Sequence, residues 1–244
     1  MTGEKAWLLA WDLSAPRGVL ALDGPGTTLR HEIAGAMRVS RLFVVAGELL
    51  AEAGIAKDAL GLLGVGCGPG SFTGVRVAVT AAKVLAAALH VPLVAPDSLM
   101  VLAAGAGETG GGGEEGRYVF AAIDARRGEV YHALYRVEGG RPHVLMEPSV
   151  ATPESAAASL LSWMEGEGHA VIGTGSGIEA YRTAWPREMR PVGGRHPCAE
   201  GLVGMCRLAR DRGEDADPMT LLPFYLRRPD TRERCGDEAR GGNC

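Results

Sequence analysis

The stretch Val65–Leu93, VGCGPGSFTGVRVAVTAAKVLAAALHVPL, decides how the fold of this chain is interpreted. It ends an apolar run, passes through closely spaced glycines and continues as a long row of small apolar residues. This order predicts a buried strand, a glycine turn and then a helix from Ser71 to His90. Proteins often bind phosphate at such a turn, because the N-terminus of a helix carries a partial positive charge.

The glycine spacing does not match the common nucleotide-binding patterns. A Walker loop ends in Lys followed by Ser or Thr, whereas Gly70 precedes Ser71 and the next lysine is Lys83. The spacing of a dinucleotide fingerprint is missing here and in the second glycine run, Gly173–Gly177. Two interpretations stay open: a tight turn where backbone packs on backbone, and the remnant of a nucleotide-phosphate loop. The remnant would consist of Asp12, Gly68, Gly70, Ser71 and Thr73.

The helix after the glycines is apolar on nearly all sides. Val75, Val79, Ala82 and Ala86 form one stripe, and apolar residues such as Val84 lie roughly opposite. A helix of this kind is buried on more than one side. The second side packs either inside the monomer or against another subunit, and the pattern alone leaves both open.

Composition indicates a globular protein without the basic stripe of a protein that binds nucleic acid alone. The 244 residues include 46% apolar and 22% charged residues, and the net charge is −4. A protein that grips nucleic acid alone usually carries a basic stripe, and the short tail Leu226–Arg234 is the only basic run. Five cysteines without a CxxC spacing predict a reducing, cytoplasmic location, and charges within the apolar segments argue against a membrane span.

The order of predicted elements indicates two α/β lobes. Three strands open the chain as an antiparallel meander, and a helix over Ser40–Ala53 follows. The second half begins again with strands and continues with helices, the first of which is predicted to be capped at Thr152 with Pro153 at its first position. The predicted units are a first lobe at 1–104, a glycine-rich linker at 105–116, a smaller lobe at 117–218, a segment at 219–232 that packs back on the first lobe, and a disordered tail at 233–244.

Four stretches resemble the TsaB (YeaZ) family of bacterial proteins. They are GPGSFTGVRVAVTAAKVLAAALHVPLVAPDSL at Gly68–Leu99, LAWDLSAPRGVLAL at Leu9–Leu22, IDARRGEVYHALY at Ile123–Tyr135 and PFYLRR at Pro223–Arg228. The first is long and specific. The resemblance implies the two-lobed fold of actin, Hsp70 and sugar kinases, with a mixed sheet and helices in each lobe.

The resemblance also implies a role. Members of this family are non-catalytic partners of the TsaD ligase, which places a threonylcarbamoyl group on the adenosine next to the anticodon of tRNA. It implies a further partner, the TsaE ATPase. From the apolar helix we expect a homodimer when TsaD is absent, and from the lack of a basic stripe we expect tRNA contacts mostly through the complex. ATP and a metal are then expected on the partner subunits, and no cofactor on this chain alone.

The chemically reactive residues agree with a supporting role. No two of the six histidines are four residues apart, so a pair on one helical turn is absent and we predict no metal site. Asp12 and Asp124 follow predicted strands, but we expect both to bind neighbouring turns. We predict no catalytic residues. The alternative is a kinase-like, ATP-dependent phosphotransferase of the same fold that uses Gly66–Gly70 and Gly173–Gly177, and a dinucleotide-binding protein is a third reading.

The partner is expected to dock on the two helices Ser40–Ala53 and Ser71–His90. The hypothesis is that this pair meets the matching pair of the ligase as a four-helix bundle, or meets a second copy of the chain. The predicted interface residues are Arg41, Phe43, Val44, Arg76, Ala78, Ala82 and Lys83.

Overall fold

The structure is a computed structural model that describes residues 6–34, 39–109, 116–192, 194 and 196–227. It consists of two lobes, each built on a five-stranded mixed sheet. The tail 233–244, predicted to be disordered, lies outside the described residues.

The first lobe contains a sheet with the strand order β3-β2-β1-β4-β5. Its strands are β1 (Trp7–Asp12), β2 (Arg17–Gly24), β3 (Thr27–Ala34), β4 (Leu60–Val65) and β5 (Leu93–Val94). The first three form the predicted antiparallel meander, and β4 and β5 join it in parallel. One face is covered by α1 (Val39–Glu52) and α2 (Phe72–Leu89).

The second lobe repeats this plan with the strand order β10-β9-β6-β7-β8. Its elements are β6 (Arg117–Arg126), β7 (Glu129–Glu138), β8 (Arg141–Ala151), α4 (Pro153–Glu167), β9 (Val171–Thr174), α5 (Ser176–Ala180) and β10 (Arg190–Pro191). As predicted, Thr152 caps α4 by accepting a hydrogen bond from the Ser155 amide, and Pro153 is its first residue. The predicted two-lobed α/β class is therefore confirmed.

Two further helices lie against the remaining faces of the sheets. The first, α3 (Ser98–Thr109), contributes Val101 to the core of the first lobe and Leu102 to that of the second. The other, α6 (Ala199–Asp211), packs beside α3 on the first sheet. The predicted second lobe at 117–218 is therefore too long, because α6 returns to the first lobe.

The glycine-rich linker predicted at 105–116 is wrong in its first five residues, which belong to α3. A Cβ at Gly105 would overlap the thiol of Cys198, and one at Gly107 would overlap Val137. These glycines bring α3 close to its neighbours on both sides, rather than making the chain flexible. Composition alone does not separate these two uses of glycine.

By length and composition α2 is apolar enough to cross a membrane. Six of its residues nevertheless lie in the core of the first lobe: Val75, Ala78, Val79, Ala81, Ala82 and Ala86. It begins as predicted after Ser71, whose hydroxyl accepts a hydrogen bond from the Gly74 amide. In this fold it is a core helix with one face turned outward.

Candidate docking surface and interlobe cleft

The predicted residues on α1 are at the surface. Val44 is 58% exposed and Phe43 is 37% exposed, while Leu42 and Val45, which flank them in the sequence, are buried. Arg41 is exposed at the start of the same face. The helical period explains this, because positions one residue apart point about 100° away from each other. The structure therefore places Arg41, Phe43 and Val44 on an outward face.

The two alanines predicted for the interface are placed differently. Ala78 and Ala82 are fully buried in the core of the first lobe, and the backbone oxygen of Ala78 accepts a hydrogen bond from the Trp11 indole at 3.0 Å. Their prediction as outward residues is wrong, because they share the inner stripe of α2. The outward stripe is formed instead by Thr80, Val84, Ala87 and Ala88, and Val84 is 60% exposed.

Two of the three predicted interface cations, Arg76 and Lys83, bind the chain itself. The ammonium group of Lys83 donates a 2.8 Å hydrogen bond to the backbone oxygen of Leu221. The Arg76 guanidinium lies 3.8 Å from the centre of the Phe72 ring and donates a 2.7 Å hydrogen bond to the hydroxyl of Tyr225. Leu221 and Tyr225 both belong to the segment Ala216–Arg227, which we name the strap.

The glycine turn is filled by the chain's own backbone. A Cβ at Gly70 would overlap the carbonyl oxygen of Ser14, and one at Gly74 would overlap that of Leu13. The Ser71 amide donates a 2.6 Å hydrogen bond to the Ser14 oxygen. The turn after β1 therefore occupies the space against the loop that a phosphate would need, and this geometry supports the interpretation that backbone packs on backbone.

Asp12 is part of the same closed arrangement. Its side chain is buried and accepts hydrogen bonds of 2.7 Å from the Ser14 amide and the Ser98 hydroxyl. Burial raises the pKa of Asp12 above its ordinary value. Burial, together with the charges of Asp97 and Asp12, also raises the pKa of the nearby Cys67 thiol to about 12, which disfavours a nucleophilic thiolate.

The second lobe closes its own glycine run in the same way. Gly175 and Gly177 pack against the backbone of Ala122, where a Cβ would be too close. The Asp124 carboxylate accepts a 2.9 Å hydrogen bond from the Arg126 amide, and the hydroxyl of Tyr181 is 3.3 Å away. As expected, Asp124 is bound to a neighbouring turn.

A cleft of about 940 Å³ separates the lobes. Its first wall contains the turn after β1 and the start of α2, including Ser71 and Thr73. Its second wall contains the turn between β6 and β7, and the strap residues Tyr225 and Arg227 close one side. Of the candidate remnant, Gly70, Ser71 and Thr73 line this space, while the Asp12 carboxyl is held by other groups.

Among the described residues, no three His, Cys, Asp or Glu side chains are grouped as a metal site would need. His132 is buried in the second lobe, where its ring lies 5.6 Å from that of Phe120. Burial lowers the pKa of His132, so the neutral ring is favoured. Its surroundings are those of a core residue.

The sequence predicted that the segment 219–232 packs back on the first lobe, and the contacts of Leu221 and Tyr225 with α2 agree with this. It predicted neither the crossing of Arg227 to Glu129 nor the hydrogen bonds of Ser98. The strap has the sequence motif PFYLR, but no periodicity shows which surface it covers. The Ser98 hydroxyl binds Asp12 and accepts a 3.2 Å hydrogen bond from the Gly68 amide. Only the tertiary fold brings these residues together.

Comparison with known proteins identifies relatives over most of the chain. Residues 32–177 match the family described as "TsaD: tRNA N6-adenosine threonylcarbamoyltransferase". The tRNA threonylcarbamoyladenosine biosynthesis protein TsaB of Haemophilus influenzae is 31% identical over 90% of this chain and 93% of its own. The TsaB of Bacillus subtilis is 35% identical over 73% and 75%, and that of Escherichia coli is 36% identical over 60% and 63%.

Solved structures agree with these relatives. YeaZ from Pseudomonas aeruginosa superposes with a TM-score of 0.79 at 33% identity and covers 91% of this chain and all of its own. A second Pseudomonas aeruginosa structure, of a protein with similarity to peptidase YeaZ, gives a TM-score of 0.81 with the same identity and coverage. The chain belongs to the TsaB (YeaZ) family.

Proposed function

We propose that this chain is a non-catalytic subunit that binds and supports a TsaD-like ligase, which threonylcarbamoylates the adenosine next to the anticodon of tRNA. The observation that carries the proposal is the outward apolar face of α1 and α2, with Val44 at 58% and Val84 at 60% exposure. Large apolar side chains exposed together on neighbouring helices are typical of protein interfaces. We name this face, with Phe43, Val44, Val84, Ala87 and Ala88, the docking face.

The ligase is the partner that fits best because it is related to this chain. Residues 32–177, which include α1 and α2, match the TsaD family itself. Two related proteins can pair through the same helices with approximate two-fold symmetry, as identical subunits do in an isologous dimer. The same face would join two copies of this chain when the ligase is absent.

The closed glycine turns support the non-catalytic part of the proposal. The space beside Gly70 is taken by Ser14, and the Asp12 carboxyl is buried and bound. We expect ATP, the metal and a TsaE-like ATPase to act on the ligase side of a cytoplasmic complex. The chain is acidic overall, so we expect most tRNA contacts to be made by the complex rather than by this subunit.

The experiment is co-purification with the TsaD-like ligase of the same genome. We expect Val84→Glu to weaken the complex about 100-fold, since an unpaired carboxylate would be buried against the partner, a cost of several kcal/mol. Val144→Glu is the matched control, because Val144 is exposed on β8 of the other lobe. An intact complex with a folded Val84→Glu variant would contradict the docking face.

A kinase-like phosphotransferase remains the second candidate because of one observation, the cleft of about 940 Å³ between the lobes. A cleft of this volume can hold a nucleotide-sized ligand. Calorimetry with ATP on the purified chain separates the two functions. Binding at micromolar concentration, with turnover of an acceptor, would favour the phosphotransferase.

A further inference from the structure

The strap connects the outer side of α2 with the second lobe. It begins at Ala216, five residues after the end of α6, and the Ala216 amide donates a 2.7 Å hydrogen bond to the Leu93 oxygen in β5. It then runs along α2 in the opposite direction, so that Leu221 meets Lys83 and Tyr225 meets Arg76. All of these contacts are with the first lobe.

The end of the strap crosses to the second lobe. The guanidinium of Arg227 pairs with the carboxylate of Glu129 at the start of β7. Both side chains are partly shielded, at 27% and 38% exposure. Two residues before Arg227, the ring of Tyr225 still lies 5.5 Å from that of Phe72 on α2. The same short segment therefore touches both lobes beside the cleft.

Directed contacts hold the strap, and its apolar side chains are at most partly buried. Met219 is 82% exposed and Leu222 is 74% exposed. The Phe224 amide donates a 2.8 Å hydrogen bond to the Cys67 oxygen, and Leu221 and Leu226 pack, partly buried, against the cores of the first and second lobes. A segment with few buried apolar contacts opens at a lower free energy than the core, so it can move while both lobes stay folded.

We propose that the strap is a clamp that couples the outer side of α2 to the relative position of the two lobes. Arg76 lies between the ring of Phe72, at the start of α2, and the ring of Tyr225 in the strap, and Phe72 is 50% exposed. A partner that covers this end of α2 changes the surroundings of Arg76 and thereby the position of Tyr225. The strap passes this change to Glu129 through Arg227.

The coupling is reciprocal, because a partner that favours one lobe position is itself bound more tightly in that position. The identification of the ligase as the partner that covers α2 rests on the proposed function. The clamp itself rests only on contacts within the chain, so the two claims can be tested apart.

The first test uses the full chain without a partner. Pulsed electron paramagnetic resonance measures the distance between spin-labelled amino acids introduced at Lys57 in the first lobe and Arg141 in the second. Hydrogen exchange at the Phe224 amide reports release of the strap. We expect Arg227→Ala to broaden the distance distribution at least twofold and to speed Phe224 exchange about tenfold.

Two variants keep this test decisive. Glu129→Gln removes the same ion pair from the other side and should reproduce both changes, whereas Arg187→Ala, at an exposed site elsewhere in the second lobe, should give neither. An unchanged distance distribution and an unchanged Phe224 exchange rate in Arg227→Ala and Glu129→Gln would overturn the clamp.

The second test adds the TsaD-like ligase. The clamp predicts that Arg227→Ala changes the affinity for the ligase at least threefold although Arg227 lies outside the docking face. Equal affinity would overturn the coupling and leave the proposed function intact. A ligase that does not bind the unmodified chain would contradict the proposed function, while the first test still decides whether the clamp exists.

Discussion

The hydroxyl of Ser98, at the first position of α3, donates a 2.7 Å hydrogen bond to the carboxyl of Asp12 at the end of β1. The same hydroxyl accepts a hydrogen bond from the Gly68 amide in the glycine turn. One buried side chain thus joins the first strand, the glycine turn and the helix between the lobes. The Asp12 carboxyl is held inside the protein by this arrangement.

Ser98→Ala should destabilise the chain by about 1–3 kcal/mol, because it leaves the Asp12 carboxyl and the Gly68 amide with one partner fewer in a buried site. Urea unfolding at neutral pH measures the loss. Ser159→Ala is the control, since Ser159 lies on an exposed face of α4 and should change stability by less than about 0.5 kcal/mol. Equal effects of the two substitutions would show that the Ser98 hydroxyl is not a structural link.

Two glycines in helices should respond to alanine with opposite signs. Gly74→Ala places a methyl group against the Leu13 oxygen and should cost about 2 kcal/mol or more despite the better helix propensity of alanine. Gly204→Ala meets nothing within 4 Å in α6 and should stabilise the chain by about 0.5–1 kcal/mol. Thermal unfolding of both variants measures the difference. Stabilisation by both would mean that α2 and the turn after β1 are not in close contact.

The stability contributed by Asp97 should fall as the pH rises. Burial raises the pKa of this carboxyl to about 7, whereas in the unfolded chain it is about 3.9. The folded state therefore keeps a proton that the unfolded state has released, so the favourable contribution is complete below about pH 4 and is lost as the pH passes 7. An asparagine does not titrate and keeps an oxygen for the Leu99 amide, which donates to Asp97 at 2.6 Å.

The free energy of unfolding of Asp97→Asn, taken relative to that of the unmodified chain, should accordingly rise by more than about 1 kcal/mol from pH 5 to pH 8. One pKa unit corresponds to about 1.4 kcal/mol. Urea unfolding at four pH values in this range measures the change. Ser159→Ala, which changes no titratable group, should keep a nearly constant difference. A constant difference for Asp97→Asn as well would contradict a buried, protonated carboxyl.

The local patterns predicted the elements of this fold well, because they depend on short-range rules. The cap at Thr152, the meander and the helix after Ser71 each follow from neighbouring residues. The use of Gly105 in α3 could not be predicted, since it depends on Cys198, a residue far along the chain. The crossing of the strap to Glu129 in the second lobe is missed for the same reason.

The candidate docking face was predicted in part. The outward positions on α1 follow from the helical period around Leu42 and Val45. On α2 both stripes are apolar, so the period does not say which one meets the sheet. The sheet contact through Trp11 and Ala78 settles this, and it is a tertiary contact.

A charge on the inner stripe of α2 should unfold the chain, whereas a charge on the outer stripe should only prevent docking. Ala82 is fully buried and Val84 is 60% exposed, although they are two residues apart. Ala82→Glu would bury an unpaired carboxylate and should cost at least about 3 kcal/mol, while Val84→Glu should cost less than about 1 kcal/mol in the isolated chain. Urea unfolding of each variant, followed by co-purification with the ligase, measures both effects. If Ala82→Glu kept full stability and lost only the partner, Ala82 would face outward and the assignment of the two stripes would be reversed.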